Sequence, residues 1–147
     1  MDAMQAAVLR VKMPHLRGWN DARRERAQLY DRLLTSAGLT KTGANSAAPV
    51  ALPKTRPEAH HIYHQYVIRA QQRDKLREFL RERGVGSEIY YPVPLHLQKC
   101  FSYLGYSEGN FPEAERAAAE VLALPIFAEL EADEQRVVVD TIAEFYS

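Results

Sequence analysis

Apolar positions recur along this chain with two periods, and the switches between them mark its elements. From Asp2 to Lys12, Met4, Ala7, Val8 and Val11 fall on one side of a helix built from good helix formers. Pro14 has no N–H to give and predicts a stop or kink there. A second helix is expected over about Arg17–Ala37, with Trp19, Ala22, Ala27, Tyr30, Leu33, Leu34 and Ala37 as its buried stripe. Arg23, Arg24, Glu25, Arg26 and Asp31 form its outer face, and Gly38 stands where a helix-ending glycine belongs. Lys41–Ala48 is small and polar and reads as a loop. Val50–Leu52, between Pro49 and Pro53, predicts a short strand or extended edge. Ile62–Arg69 alternates, with Ile62, His64, Tyr66 and Ile68 on one face and Tyr63, Gln65, Val67 and Arg69 on the other. Both faces carry apolar residues, so this is the expected central strand.

The second half repeats the alternation of helix and extended chain. Arg73–Arg83 predicts an amphipathic helix with Leu76, Phe79 and Leu80 inward, ended by Gly84. Ile89-Tyr90-Tyr91 predicts a strand that Pro92 and Pro94 cannot let continue. Leu95–Leu104 predicts one or two helical turns, and Gly105–Gly109 a loop. Asn110-Phe-Pro-Glu113 reads as a helix start with an Asn cap, the helix reaching about Leu122. Leu124–Phe127 reads as a short extended piece. Asp133 opens a last helix with Val137, Val138, Thr141, Ile142 and Phe145 inward. The expected fold is α+β: one domain over residues 1–147, with a small antiparallel or mixed sheet covered by helices and led by a long kinked N-terminal helix.

Composition narrows the function classes. Apolar residues make up 46% and charged residues 26%, as in a soluble globular protein. No apolar run has the length of a membrane span, and the N-terminus lacks a signal-peptide pattern. Cys100 is the only cysteine, which excludes an internal disulfide and a cysteine-based metal cluster and fits a reducing cytoplasm. The net charge of zero hides a division: residues 1–83 hold 16 Lys and Arg against 8 Asp and Glu, while residues 84–147 hold 3 against 11. The basic half faces phosphates, an acidic partner, or the acidic half of its own chain. No nucleic-acid-binding motif accompanies it.

Phosphate loops, metal-spaced histidines and a nucleophile elbow are all absent from the sequence. The stretch richest in chemistry is Gly84–Gln98. There two glycines, an aromatic pair and two prolines present Tyr90, Tyr91, His96 and Gln98 from stiff backbone. Taken alone, these residues fit a ligand site or a proline turn whose tyrosines cap the core. His64, on an apolar face, reads first as a hydrogen-bonded core histidine.

Four motifs in order change the reading. Met1–Ala7, Tyr63–Arg69, Ile89–Gln98 and Leu124–Phe127 resemble the C-terminal part of the DegT/DnrJ/StrS family of pyridoxal-phosphate (PLP) sugar aminotransferases, whose fold is similar to aspartate aminotransferase. The resemblance covers essentially the whole chain. It implies the small domain of a larger enzyme, with the Schiff-base lysine, the pyridinium partner and the phosphate cradle lying upstream of Met1. No cofactor is then expected in this segment alone, and Lys12, Lys41, Lys54, Lys75 and Lys99 stand in no Schiff-base context. The parent would move an amino group from a donor such as glutamate to a keto group on a nucleotide-linked sugar. It implies Tyr90, Tyr91, His96 and Gln98 as substrate contacts, with His64 weaker, and many relatives have histidine where this chain has Tyr90. Gln5 is expected to face another subunit of a homodimer. The other reading is a free-standing, non-catalytic ligand-binding or regulatory domain derived from such an enzyme. The face of Met4, Ala7, Val8 and Val11 is expected to stay exposed and to drive association.

Overall fold

A computed structural model describes residues 1–40 and 48–147. The loop expected over Lys41–Ala48 lies almost wholly outside the described residues. Helix α1, Ala3–Lys12, runs through one 3₁₀ turn, Met13–His15, into α2, Leu16–Ser36. Pro14 sits in that turn, where its missing N–H costs little. Asp2 caps α1 by accepting from the Gln5 N–H at 2.9 Å. No residue of α1 is buried: Met4, Val8 and Val11 are 81%, 52% and 73% exposed. Helix α2 buries Ala27, Tyr30 and Leu34, the centre of the expected stripe, and ends at Gly38 with φ +72°.

The sheet has three antiparallel strands in sequence order: β1, Val50–Ala51; β2, Tyr66–Ala70; and β3, Val121–Leu124. Central β2 pairs Tyr66 with Leu124 and Ile68 with Leu122. Its burial alternates as expected, with Tyr66, Ile68 and Ala70 inward. The strand is shorter than the sequence suggests. Opposite Gln65 the ladder would meet Pro125, which has no N–H to donate, and Tyr63 turns away with φ +47° while its N–H bonds to His61 Nδ1. Residues 62–65 are therefore not strand.

Helix α3, Arg73–Glu82, places Leu76 and Leu80 on β2 and β3, and Val85 N–H closes its end on Leu80 O. Helix α4, Pro112–Glu120, stops two residues short of the expected Leu122. Val121 takes extended geometry and its carbonyl accepts from buried Arg73, so pairing with β2 overrides the alanine-rich helix preference. The extended piece is thus Val121–Leu124 rather than Leu124–Phe127. Helix α5, Ala132–Tyr146, packs on α2 and α3. Its inner stripe is Gln135, Val138, Val139, Thr141 and Ile142; Val137, expected inward, is instead 56% exposed.

The core joins α2, β2, α3, β3 and α5 through Tyr30, Leu34, Tyr66, Ile68, Leu76, Leu80, Leu122 and Ile142, all fully buried. Its polar groups are largely paired. Tyr66 donates to Asp31 at 2.6 Å, Tyr30 donates to Pro125 O, and Gln135 Nε2 donates to Arg26 O. Burial pushes both phenols well above the ordinary tyrosine range, and Asp31 adds to the effect on Tyr66. No helix among the described residues is long and apolar enough to cross a membrane.

Candidate functional site

The expected strand at Ile89–Tyr91 does not form. Only Glu88 reaches β3, exchanging two backbone hydrogen bonds with Ala123 on the edge that β2 leaves free. The chain then leaves the sheet, and Pro92 and Pro94 prevent its return. This single bridge fixes the root of the segment that carries the tyrosines.

Two clefts meet at Tyr90. The first, of about 360 Å³, is lined by His64, Gln65, Gly86, Ser87, Glu88, Tyr90 and residues 123–126 at the end of β3. Its walls offer an imidazole, an amide, a hydroxyl and a carboxylate beside one aromatic ring, a set suited to sugar hydroxyls. The second, of about 220 Å³, lies between Tyr90, Tyr91, Val93, Pro94, Leu95 and Gln98 on one side and Ala114, Ala117, Ala118 and Val121 on the other. It is largely apolar. Tyr90 is 41% and Tyr91 73% exposed, so both present their rings outward.

His96 and Gln98 are placed differently. The His96 side chain is only 7% exposed, its Nε2 lies 2.9 Å from Glu115 Oε1, and its ring meets Phe111 edge-on at 4.8 Å. Gln98 Nε2 reaches Val93 O at 3.4 Å and its Oε1 faces the exposed thiol of Cys100. Tyr90, Tyr91 and His64 border open clefts, whereas His96 is turned into the protein. Gln5 is exposed on α1, in an open apolar hollow with Met1, Met4, Val8 and Leu9.

The polar centre of the segment was not singled out in the sequence. Glu115, on the first turn of α4, accepts from Gly109 N–H with both oxygens, from Phe111 N–H, and meets His96 Nε2. The expected cap, Asn110, instead accepts from Ser107 N–H. A carboxylate four residues past Phe111 was the available signal. Hydrogen bonds from Gly109 first, then from Phe111 and His96, hold the Glu115 carboxyl below its usual value despite some desolvation. A lowered pKa stabilises the folded state above the unfolded value, and this is lost as pH falls through the folded one. These contacts are therefore expected to persist at pH 4.5, the ordinary value for a glutamate, and to break only below it. A carboxyl ¹³C titration measures this; a Glu115 midpoint at or above the ordinary value would contradict it.

Among the described residues, no group of three or more His, Cys, Asp or Glu could hold a metal ion. Nor do the described residues of the larger cleft fit PLP: none of them is a lysine, and the one carboxylate among them, Glu88, faces Arg77 at 3.7 Å.

Similarity to known proteins runs the length of the chain. Residues 1–143 match the DegT/DnrJ/EryC1/StrS aminotransferase family. The chain is 49% identical over 146 residues to a pleiotropic regulatory protein of Geobacillus stearothermophilus, an alignment covering 99% of this chain and 37% of that protein. It is 38% identical to the dTDP-3-amino-3,4,6-trideoxy-alpha-D-glucose transaminase of Streptomyces venezuelae, covering 99% of this chain and 36% of that one. The crystal structure of S. venezuelae DesV in complex with a ketimine intermediate superposes with a TM-score of 0.88 at 37% identity, over 99% of this chain and 36% of that one. The chain thus spans just over a third of the length of these relatives.

Proposed function

This chain belongs to the DegT/DnrJ/EryC1/StrS aminotransferase family, and from that premise we propose that it is the C-terminal small domain of a PLP-dependent enzyme. That enzyme would aminate a keto group on a nucleotide-linked sugar. The observation that carries the reading is the meeting of a polar cleft and an apolar cleft at Tyr90, at the end of a sheet edge, in a chain aligned end to end with a transaminase of a dTDP-sugar.

PLP supplies the electron sink for transamination when bound, and in this reading it is held by a part of the enzyme outside this chain. The residues here have a narrower task. Tyr90 and Tyr91 offer ring faces and phenol groups to the sugar nucleotide, while His64, Gln65, Ser87 and Glu88 offer donors and acceptors to sugar hydroxyls. His96 supports the segment from within, while Gln98 lines the apolar cleft beside the tyrosines. The exposed apolar face of α1 is where the remainder of the enzyme or a second subunit packs, and the working form is a homodimer in the cytoplasm.

The test is a chimera in which residues 1–147 replace the corresponding third of the S. venezuelae transaminase. Amino transfer to a dTDP-linked keto sugar is expected. The chain by itself, mixed with PLP, is expected to give no stoichiometric, borohydride-trappable adduct at any one lysine. Such an adduct, or a folded chimera with no activity, would overturn the reading. The name of the 49% identical relative favours a second reading, a non-catalytic ligand-binding or regulatory domain derived from such an enzyme. A folded but inactive chimera, together with tight binding of dTDP-sugar to the chain alone, would favour it.

A further inference from the structure

We propose that Glu115 is the positioning residue of the Tyr90–Phe111 segment, acting through His96 to set where the two tyrosines stand. The functional consequence rests on the reading that those tyrosines meet substrate; the latch itself does not.

Hydrophobic burial holds this segment weakly, because no apolar residue from Pro92 to Phe111 is buried. Leu95, Tyr103 and Leu104 are 69%, 78% and 50% exposed. Its two 3₁₀ turns, Leu95–Leu97 and Lys99–Leu104, are closed by local backbone bonds, which leave their placement on the domain free. The polar ties converge instead on one carboxylate. Glu115 holds His96 near the start of the segment and Gly109 and Phe111 at its end, so both limbs are pinned to the first turn of α4. Phe111 then packs on the His96 ring, and Tyr106 on Phe111 at 5.0 Å.

The tyrosines feel this anchor through stiff chain. Between Tyr91 and His96 lie Pro92 and Pro94, whose fixed φ angles leave few ways to turn His96 without moving Tyr91. The same helix forms the floor of the apolar cleft through Ala114, Ala117 and Ala118, next to Glu115. Glu115 therefore sets the height of the Tyr90–Leu95 wall above that floor. A histidine so engaged acts by holding the wall rather than by reaching a ligand.

Amide exchange and ring ¹⁵N shifts on the 147-residue chain test this without substrate. The Gly109 and Phe111 amides are expected to exchange at least about tenfold more slowly than Tyr103 or Glu108, and His96 to show a protonated Nε2. Glu115→Ala should abolish both signatures and shift the Tyr90 and Tyr91 ring resonances, while Tyr66–Ala70 keep their protection. Glu115→Gln, which retains an acceptor oxygen, should restore part of each. Unprotected Gly109 and Phe111 amides in the parent chain would overturn the proposal. So would tyrosine resonances indifferent to Glu115→Ala, or loss of strand protection equal to that of the loop. A failure of Tyr90 variants to affect an enzyme would strike the substrate reading and leave this result standing.

Discussion

Replacing Ile68 with alanine is expected to destabilise the domain by about 2–5 kcal/mol, the largest stability effect foreseen for a single residue here. Ile68 is fully buried at the middle of the central strand, opposite Leu122 and between Tyr66 and Ala70 on the inward face. It belongs to one buried cluster with Leu34 of α2, Leu76 and Leu80 of α3 and Ile142 of α5. Backbone pairing to β1 and β3 keeps β2 from shifting into the space, so relaxation is limited and the cavity term stays large. A domain of this size has about 5–15 kcal/mol to lose. Urea unfolding should show a lowered midpoint with an unchanged slope. Val137→Ala, on the exposed side of α5, should stay within about 0.5 kcal/mol and serves as the control. A loss below about 1 kcal/mol for Ile68→Ala would mean that the strand is not the clamped centre of the core.

The inward parity of Ile68 was legible in the sequence, because alternation depends only on neighbours along the chain. So were α2 and α3, whose stripes and terminal glycines are local signals. The limits of β2 were not. They depend on Pro125 lying opposite Gln65, a register fixed between residues far apart in sequence. The early end of α4 escaped for the same reason: Ala117-Ala118-Ala119 favours helix, and what stops it is pairing with β2 and the Arg73 bond to the Val121 carbonyl. At the site, glycines and prolines marked the segment, and the resemblance to sugar aminotransferases pointed to Tyr90, Tyr91, His96 and Gln98. Alternation could not tell which of them face outward. The His96 ring is turned inward onto Glu115, 19 residues along the chain, and no local pattern shows this.

In the chimeric aminotransferase, Tyr90→Ala is expected to raise the KM for sugar nucleotide about thirty- to a thousandfold. Tyr90 is the one side chain that lines both clefts, so its truncation removes a wall from each. Two contributions are lost. A phenol hydrogen bond to a charged group is worth about 1.5–3 kcal/mol, and each 1.4 kcal/mol is about tenfold in binding. The ring face adds a stacking surface of about 0.5–1.5 kcal/mol. Tyr90→Phe separates them, keeping the ring and the shape of the apolar cleft while removing the hydroxyl, and should recover only the smaller share. Because Tyr90 is partly exposed and outside the core cluster, neither change should lower the unfolding midpoint appreciably. The PLP absorption of the chimera should be intact in both variants, since none of the described residues lining the cleft that Tyr90 borders is a lysine. Steady-state kinetics with varied sugar nucleotide at saturating amino donor measures the effect. An unchanged KM and turnover in Tyr90→Ala would remove Tyr90 from the substrate site, and the meeting of the two clefts would then be a feature of the surface alone.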